Sequence, residues 1–395
     1  MVKARDILIF GDDWGRYPST IQHIANVLKK QNRIFWIGSL GLRKPKFTPR
    51  DIIRGLEKLA NMFKRSGAPI GGKTDNPIVL HPVVIPMHDN QLMRRKNISS
   101  IEKTIRTAIQ THKIVKPIIL SSSPIVADIL DRIDYASAHY FCLDDYGLFD
   151  GAFQSLRRHE EDFIKRADSS YFVSDRLLEQ HRSVNRELHF LPQGVDVGHF
   201  TVPDTDIVPE LRTLPRPIIG FFGLLANWID LPLILRCAQT YPDASFVVIG
   251  KAATDTSLLK QSPNIRYIGE VSYEQLPKYV ARFDIGLIPF SVNELTLAAN
   301  PLKLLEYMAS GTAVVSTKLP EVEKFSPLAA VAKDSNEFVR LIGAVLNNDT
   351  EEQRNRRKAI AQEHSWEKIT EQVCAVIERV ERTPRAHSGV SSVGS

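Results

Sequence analysis

The sequence predicts an α/β protein of two Rossmann-like, doubly wound parallel-sheet domains facing a central cleft. Three observations carry this. Short apolar strands alternate with helical patterns, first from the N-terminus and then again from about residue 218. Residues 201–216, with Pro203, Pro209, Pro215 and several acids, break that rhythm as a linker would. The chain has 395 residues, 43% of them hydrophobic, enough for two domains that each bury a core.

The first run begins with a buried strand at 7–10. A helix follows over 19–30, with Ile21, Ile24, Ala25 and Leu28 at helical spacing, and then a strand at 33–37. Further strands are expected at 78–85, 117–120, 138–143 and 171–173. The helix before Pro117 is expected to open on the capping-box pattern Ser99-Ser100-Ile101-Glu102. The second run has strands at 218–223, 245–249, 265–268, 284–289 and 312–316. Its helices fall at 231–238, capped by Asp230, after Ser272-Tyr273-Glu274-Gln275, and at 301–310. Ser365-Trp366-Glu367 opens a last amphipathic helix, and the tail after it lacks periodicity and should be disordered. The expected division is a first domain over 1–200, a linker over 201–216 and a second domain over 217–364. A helix over 365–380 then crosses back to the first domain, and the tail is 381–395.

Composition narrows the function classes. Cys142, Cys237 and Cys374 are far apart, which argues against a disulfide framework or a zinc site and fits a reducing cytoplasm. The start has no apolar signal-peptide core, and no apolar run reaches the roughly 20 residues of a membrane span. The net charge is +6, yet residues 41–120 hold 16 Lys/Arg against 5 Asp/Glu, densest at Arg94-Arg95-Lys96. A basic stretch over 43–116 suits an anionic partner such as the inner membrane surface or a lipid diphosphate; its bland reading is a solvated face. It lacks the interleaved aromatics of base stacking, which argues against nucleic acid.

Asn300-Pro301-Leu302-Lys303-Leu304-Leu305-Glu306 is the segment best suited to chemistry. Pro301 fits a helix start, and Lys303 then lies in the first turn, where a cation opposes the helix dipole unless an anion sits there. Glu306 shares its face and could accept hydrogen bonds from ribose hydroxyls, while Gly311 closes the helix. On spacing alone, an ordinary helix with one Lys-Glu pair is equally compatible. In Gly11-Asp12-Asp13-Trp14-Gly15-Arg16, after the first strand, Asp13, Trp14 and Arg16 could contact an acceptor or a phosphate; alternatively Trp14 simply packs on a neighbour. Asp144-Asp145 stand at the carboxyl end of a buried strand, as a general base or as caps of the next helix. Asp204-Thr205-Asp206 has the spelling of a metal motif but lies in the linker. His81, His88, His139, His181, His189 and His199 show no ligand spacing.

The run from Asn300 to Thr317 resembles the nucleotide-sugar motif of GT-B glycosyltransferases. Other blocks resemble that family in the same order: Leu191-Pro192-Gln193-Gly194-Val195-Asp196 with Phe200, and Ile219-Gly220-Phe221-Phe222-Gly223 with Trp228-Ile229-Asp230. Then come Ile268-Gly269-Glu270-Val271-Ser272-Tyr273 and Phe283-Asp284-Ile285-Gly286-Leu287-Ile288-Pro289-Phe290. Within the family the chain is most similar to bacterial exopolysaccharide and teichuronic-acid-type enzymes, including the xanthan glucuronosyltransferase.

The resemblance implies a sugar-nucleotide donor, a UDP-sugar in this reading, held by Gly223, Glu270, Asn300, Lys303 and Glu306. It implies no metal or other cofactor, and a glycan or lipid-diphosphate-linked acceptor. Many retaining members carry a second glutamate with seven residues between it and the Glu306 position, where this chain has Ala298. That departure points to inverting transfer, with Asp144, and Asp145 beside it, as the catalytic carboxylates. A sugar-nucleotide epimerase of the same fold and a non-catalytic scaffold descended from transferases are the alternatives.

Overall fold

The computed structural model describes residues 1–15, 18–38, 40–41, 77–149, 151–185, 187–203 and 208–382. The chain forms two sheets. The first has seven strands: β1 Asp6–Phe10, β2 Arg33–Ile37, β3 Ile78–Leu80, β4 Ile118–Ser121, β5 Ser137–Cys142, β6 Ser169–Phe172 and β7 Leu188–Phe190. The second has six: β8 Ile218–Phe222, β9 Ser245–Ile249, β10 Ile265–Gly269, β11 Ile285–Ile288, β12 Ala313–Thr317 and β13 Ala329–Ala332. Their spatial orders are β3-β2-β1-β4-β5-β6-β7 and β10-β9-β8-β11-β12-β13. Every pairing is parallel. Both sheets are therefore doubly wound, and each reverses direction once, between β1 and β4 and between β8 and β11. Ligands of such sheets bind in the crevice beyond the strand ends at that reversal.

Apolar alternation places helices on both faces of the first sheet. Leu8 and Phe10 of β1 pack with Ile101 and Ile105 of the Gln91–His112 helix and Phe163 of the Leu156–Arg166 helix. Ile7 and Ile9, on the other face, pack with Ile21 and Ile24 of the Thr20–Leu28 helix. The same core takes Trp366, Ile369, Val373 and Ile377 of the last helix, Trp366–Arg382, so that helix completes the first domain from the far end of the chain. The crossing is fixed where the Val195 amide donates to the His364 carbonyl (2.9 Å) and the Trp366 amide to the Val195 carbonyl (3.3 Å).

Several local expectations need correction. The helix before Pro117 begins at Gln91, not at the Ser99-Ser100 box. Asn90 caps it by accepting from the amides of Leu92 and Met93, an Asx cap as effective as the serine pattern read further along. The strand expected over 78–85 stops at Leu80. The helix after Ser272 is a short Leu276–Val280 turn without a side-chain cap, and the linker holds a four-residue helix, Pro209–Arg212. Asp230 does cap the Leu231–Thr240 helix, accepting from the Leu233 amide at 2.8 Å. The Asp204-Thr205-Asp206 triplet, Arg16, the tail beyond Arg382 and residues 43–76 of the basic stretch lie outside the described residues. No helix among the described residues is long and apolar enough to cross a membrane.

Candidate functional site

The reversal between β8 and β11 brings together the segments that the sequence singles out. β8 is followed by Gly223, whose φ of +137° places it where side chains are disfavoured. Its amide bonds to the Ile249 carbonyl of β9 at 3.0 Å. Gly250, at φ +142°, must also be glycine: a Cβ there would stand 1.8 Å from the Gly223 carbonyl oxygen. Two strand ends are thus pressed together, leaving open backbone beside the side chain of Lys303. A Cβ on Gly223 would lie 3.4 Å from the Lys303 Cε and 3.6 Å from its Nζ.

Lys303 opens the Lys303–Ser310 helix after β11. The helix is pinned under the sheet by Tyr307, whose hydroxyl lies 3.3 Å from the carbonyls of both Gly220 and Leu287. It ends at Gly311 in the left-handed conformation, φ +80°. The amides of Leu304, Leu305 and Glu306 already bond to the carbonyls of Pro301 and Leu302. The positive character of this end therefore comes mainly from the ammonium and the helix dipole.

That ammonium rests against two rings, 4.6 Å from the centroid of Phe290 and 5.7 Å from that of Phe221. Among the described residues it has no ion pair within 4.0 Å. Burial pushes Lys303 down to about 8, with Glu306 partly opposing the shift. Burial pushes Glu306, which is 9% exposed, up to about 7 against the pull of Lys303. A cation and a carboxylate thus share a poorly solvated pocket without closing on each other. Such a pocket favours an incoming anion for the first and hydroxyl donors for the second.

The other candidate residues divide. Glu270 is exposed, just after Gly269 at φ +85° on the rim of the same domain. Asn300 also links the two domains. Its side-chain amide donates to the Val173 carbonyl of the first domain (2.9 Å), and its own carbonyl accepts from the Gln193 side chain (3.3 Å). It ties the loop before the Lys303 helix to the first domain. Ala298, two residues earlier, is fully buried in the core of the first domain.

Asp144 follows β5 at the carboxyl end of the first sheet. Asp145 is 8% exposed and caps the 3₁₀ turn Tyr146–Leu148 by accepting from the Gly147 amide (3.2 Å). The structure therefore gives Asp145 a capping role, one of the two readings the sequence left open for this pair. The phenol of Tyr146 is pushed well up, first by burial and then by the carboxylates of Asp144 and Asp12. In the loop after β1, Trp14 packs edge-on against Trp36 at 4.8 Å, and the Trp36 indole donates to the Asp12 carbonyl at 2.8 Å. The half-buried Trp14 thus packs on its neighbour Trp36 within that loop's surroundings. Asp13 is half-buried, its carbonyl accepting from Gln22 at 3.4 Å.

Sequence reasoning did not single out Phe221 and Phe290, although both stand in the quoted blocks; only folding shows that their rings flank Lys303. It also missed Tyr273, whose phenol is raised by burial and by the nearby carboxylate of Glu306. A separate cavity of about 460 Å³ between the domains shares Asn300 and Leu305 with this region but is not lined by Lys303 or Glu306. No group of three or more His, Cys, Asp or Glu among the described residues could hold a metal ion.

Comparison with known proteins meets this geometry from the outside. Residues 216–348 match the family model described as Glycosyl transferases group 1. TuaH of Bacillus subtilis (strain 168), named for a glycosyltransferase role in teichuronic acid biosynthesis, is 28% identical over 238 residues. The match takes in 55% of this chain and 58% of TuaH, so it spans somewhat under two thirds of that relative. Among solved structures, Anabaena Alr3699/HepE in complex with UDP and glucose is 14% identical with a TM-score of 0.66, over 94% of this chain and 99% of that one. Sucrose-phosphate synthase from Thermosynechococcus elongatus is 12% identical with a TM-score of 0.70, over 95% and 99%. The chain thus has the GT-B fold of glycosyltransferases, and its second domain matches the group 1 glycosyl transferases.

Proposed function

We propose that this protein is a glycosyltransferase that moves a sugar from a UDP-sugar to a glycan or lipid-diphosphate-linked acceptor of a cell-surface polysaccharide. The observation that carries the reading is Lys303: a cation between two phenylalanine rings, beside the Gly223 turn, at the reversal point of the second sheet. Its place fits the donor diphosphate, and Glu306, one turn on, fits the ribose hydroxyls.

In this reading the bond from the sugar's C1 to the diphosphate oxygen breaks as an acceptor oxygen bonds to C1 from the opposite face. Lys303 and the helix dipole stabilise the charge left on the departing diphosphate. Asp144 takes the acceptor hydroxyl's proton, and the configuration at C1 inverts. Two observations favour inversion over retention. Ala298, where many retaining members carry a glutamate, is sealed in the first domain's core. Glu294, the nearest acid before it, pairs with Arg176 across the domains.

The acceptor's lipid and the basic stretch suggest a working position on an anionic membrane surface. In the described part of that stretch, Val83, Ile85, Met87, Leu92 and Val115 are exposed, with Arg95 and Lys96 exposed among them. Exposed apolar side chains with basic neighbours suit the headgroup region.

Calorimetric titration with UDP and with UDP-, GDP- and dTDP-sugars tests the donor reading. UDP should bind in the micromolar range, and Lys303→Ala should weaken it by about 30-fold, the rough worth of one charge-assisted contact. Equal binding by wild type and variant would remove Lys303 from the site. No binding by any nucleotide would overturn the function.

A further inference from the structure

Directly behind Asp144 lies a buried polar cluster that the donor site does not use. Glu160, on the Leu156–Arg166 helix, is 5% exposed. Its Oε1 accepts from the Tyr140 hydroxyl at 2.7 Å and from the Cys142 thiol at 3.3 Å. Tyr140 and Cys142 are alternate residues of β5, so both reach the same face of the sheet, and Asp144 stands two residues further on. The Cys142 Sγ also lies 3.6 Å from the Asp144 carbonyl oxygen, so one thiol touches both the glutamate and the backbone of the candidate base.

His181 approaches Glu160 Oε2 from the Asp175–His181 helix, its Nε2 at 3.7 Å. Its Nδ1 lies 2.8 Å from the Leu177 carbonyl, which can only accept, so that nitrogen carries a proton. Burial lowers His181, but the bond and charge of Glu160 outweigh it and the net direction is up. Asp145 adds a smaller pull the same way. The ring stacks on Phe172 of β6 at 5.3 Å. Three elements thus converge on one carboxylate.

A buried charge cluster is a poor way to gain stability, since desolvation consumes much of what pairing returns and apolar packing serves at least as well. What the cluster does supply is direction: hydrogen bonds fix β5 and its exit along the strand, where apolar contacts would let it slide.

We propose that Glu160 is a positioning residue for Asp144, holding the end of β5 through Tyr140 and Cys142 so that the Asp144 backbone stands at one fixed place on the cleft wall. This rests on the reading of Asp144 as general base. Asp144 would lose aim, not identity, when the cluster is cut.

The test uses the full chain and whichever UDP-sugar the titrations identify, with UDP release measured in the presence of a bacterial lipid extract. Glu160→Ala should lower kcat at least tenfold, while KM for the donor and Kd for UDP stay within twofold. Glu160→Gln, which keeps an acceptor for Tyr140 and Cys142, should recover most of that loss. Cys142→Ala should lower kcat about threefold and Cys142→Ser restore it; this pair carries the test if Glu160→Ala does not fold. A melting temperature that falls while kcat per folded molecule holds would overturn the proposal, as would Gln and Ser variants no better than Ala. An active Asp144→Asn protein, or a wild type that consumes no nucleotide sugar, removes the function reading and this inference together. An inactive Asp144→Asn beside fully active Glu160 and Cys142 variants removes the inference alone.

Discussion

Lys303 and Glu306 sit in surroundings that penalise both charges. Glu306 is raised to about 7, so the cost of its carboxylate is absent in acid, grows as pH rises toward 7 and is complete above it. Lys303 is lowered to about 8, so the cost of its ammonium is complete below 8 and fades as pH rises toward the ordinary lysine value. Both costs coincide near pH 7 to 8. The double variant Lys303→Met/Glu306→Gln should therefore melt above wild type, by about 1–4 kcal/mol of stability and most clearly in that window, while losing UDP binding. Thermal melts across pH check this, and a double variant that melts lower would contradict it. The two neighbouring aspartates should separate just as cleanly. Asp145→Ala removes a cap and should cost about 1 kcal/mol of stability. Asp144→Asn should leave the melting temperature unchanged and lower kcat by at least 100-fold, as measured by denaturation and UDP release side by side.

The donor pocket is a matter of how strands end. Gly223 and Gly250 hold the left-handed side of backbone space so that β8 and β9 can deliver their turns in contact. Gly250→Ala would drive a methyl into the Gly223 carbonyl and should cost about 3 kcal/mol or more, with UDP affinity lost even in the folded fraction. Denaturant melts and calorimetry on one sample decide it; undiminished UDP binding would mean that the turn does not shape the pocket. Periodicity made strands and long helices legible at this scale, because a buried strand reads as an apolar run and a surface helix as a 3.6-residue stripe. Element ends were less legible. Asn90 outcompeted the Ser99-Ser100 box because the helix pattern continues unbroken on its N-terminal side, and a box inside a helix caps nothing.

Across the whole molecule, two sheets are joined by a crossing helix and a few polar links. Asn300 bonds to Val173, Arg176 pairs with Glu294, and Lys324 pairs with Asp175 at 2.8 Å. These lie on connecting segments and a short helix of the second domain, and on Val173 just after β6 and the helix that follows it, so any change of cleft width must work against them. The basic, partly apolar flank of the first domain makes its own prediction. The protein should sediment with phosphatidylglycerol vesicles at low salt, not with phosphatidylcholine vesicles, and should be released by about 0.5 M salt through screening. Leu92→Glu should weaken the binding at least threefold, since Leu92 is 60% exposed on the first turn of its helix. Absence of sedimentation at low salt would remove the membrane surface from the reading.

The sequence by itself determined the doubly wound class, the ordered blocks from Leu191 to Thr317 and the placing of Lys303 and Glu306 one turn apart on the same helix. All of these are local, written in periodicity, glycines and spacing. Tertiary structure alone decided which of two adjacent aspartates caps the turn after β5, that Asn300 bonds to the other domain, that Trp14 packs on Trp36, and that Phe221 and Phe290 flank the lysine. Those roles depend on contacts between residues far apart in the chain. No periodicity encodes them, because the identity of a side chain states what it can bond to and only the fold states what comes within reach.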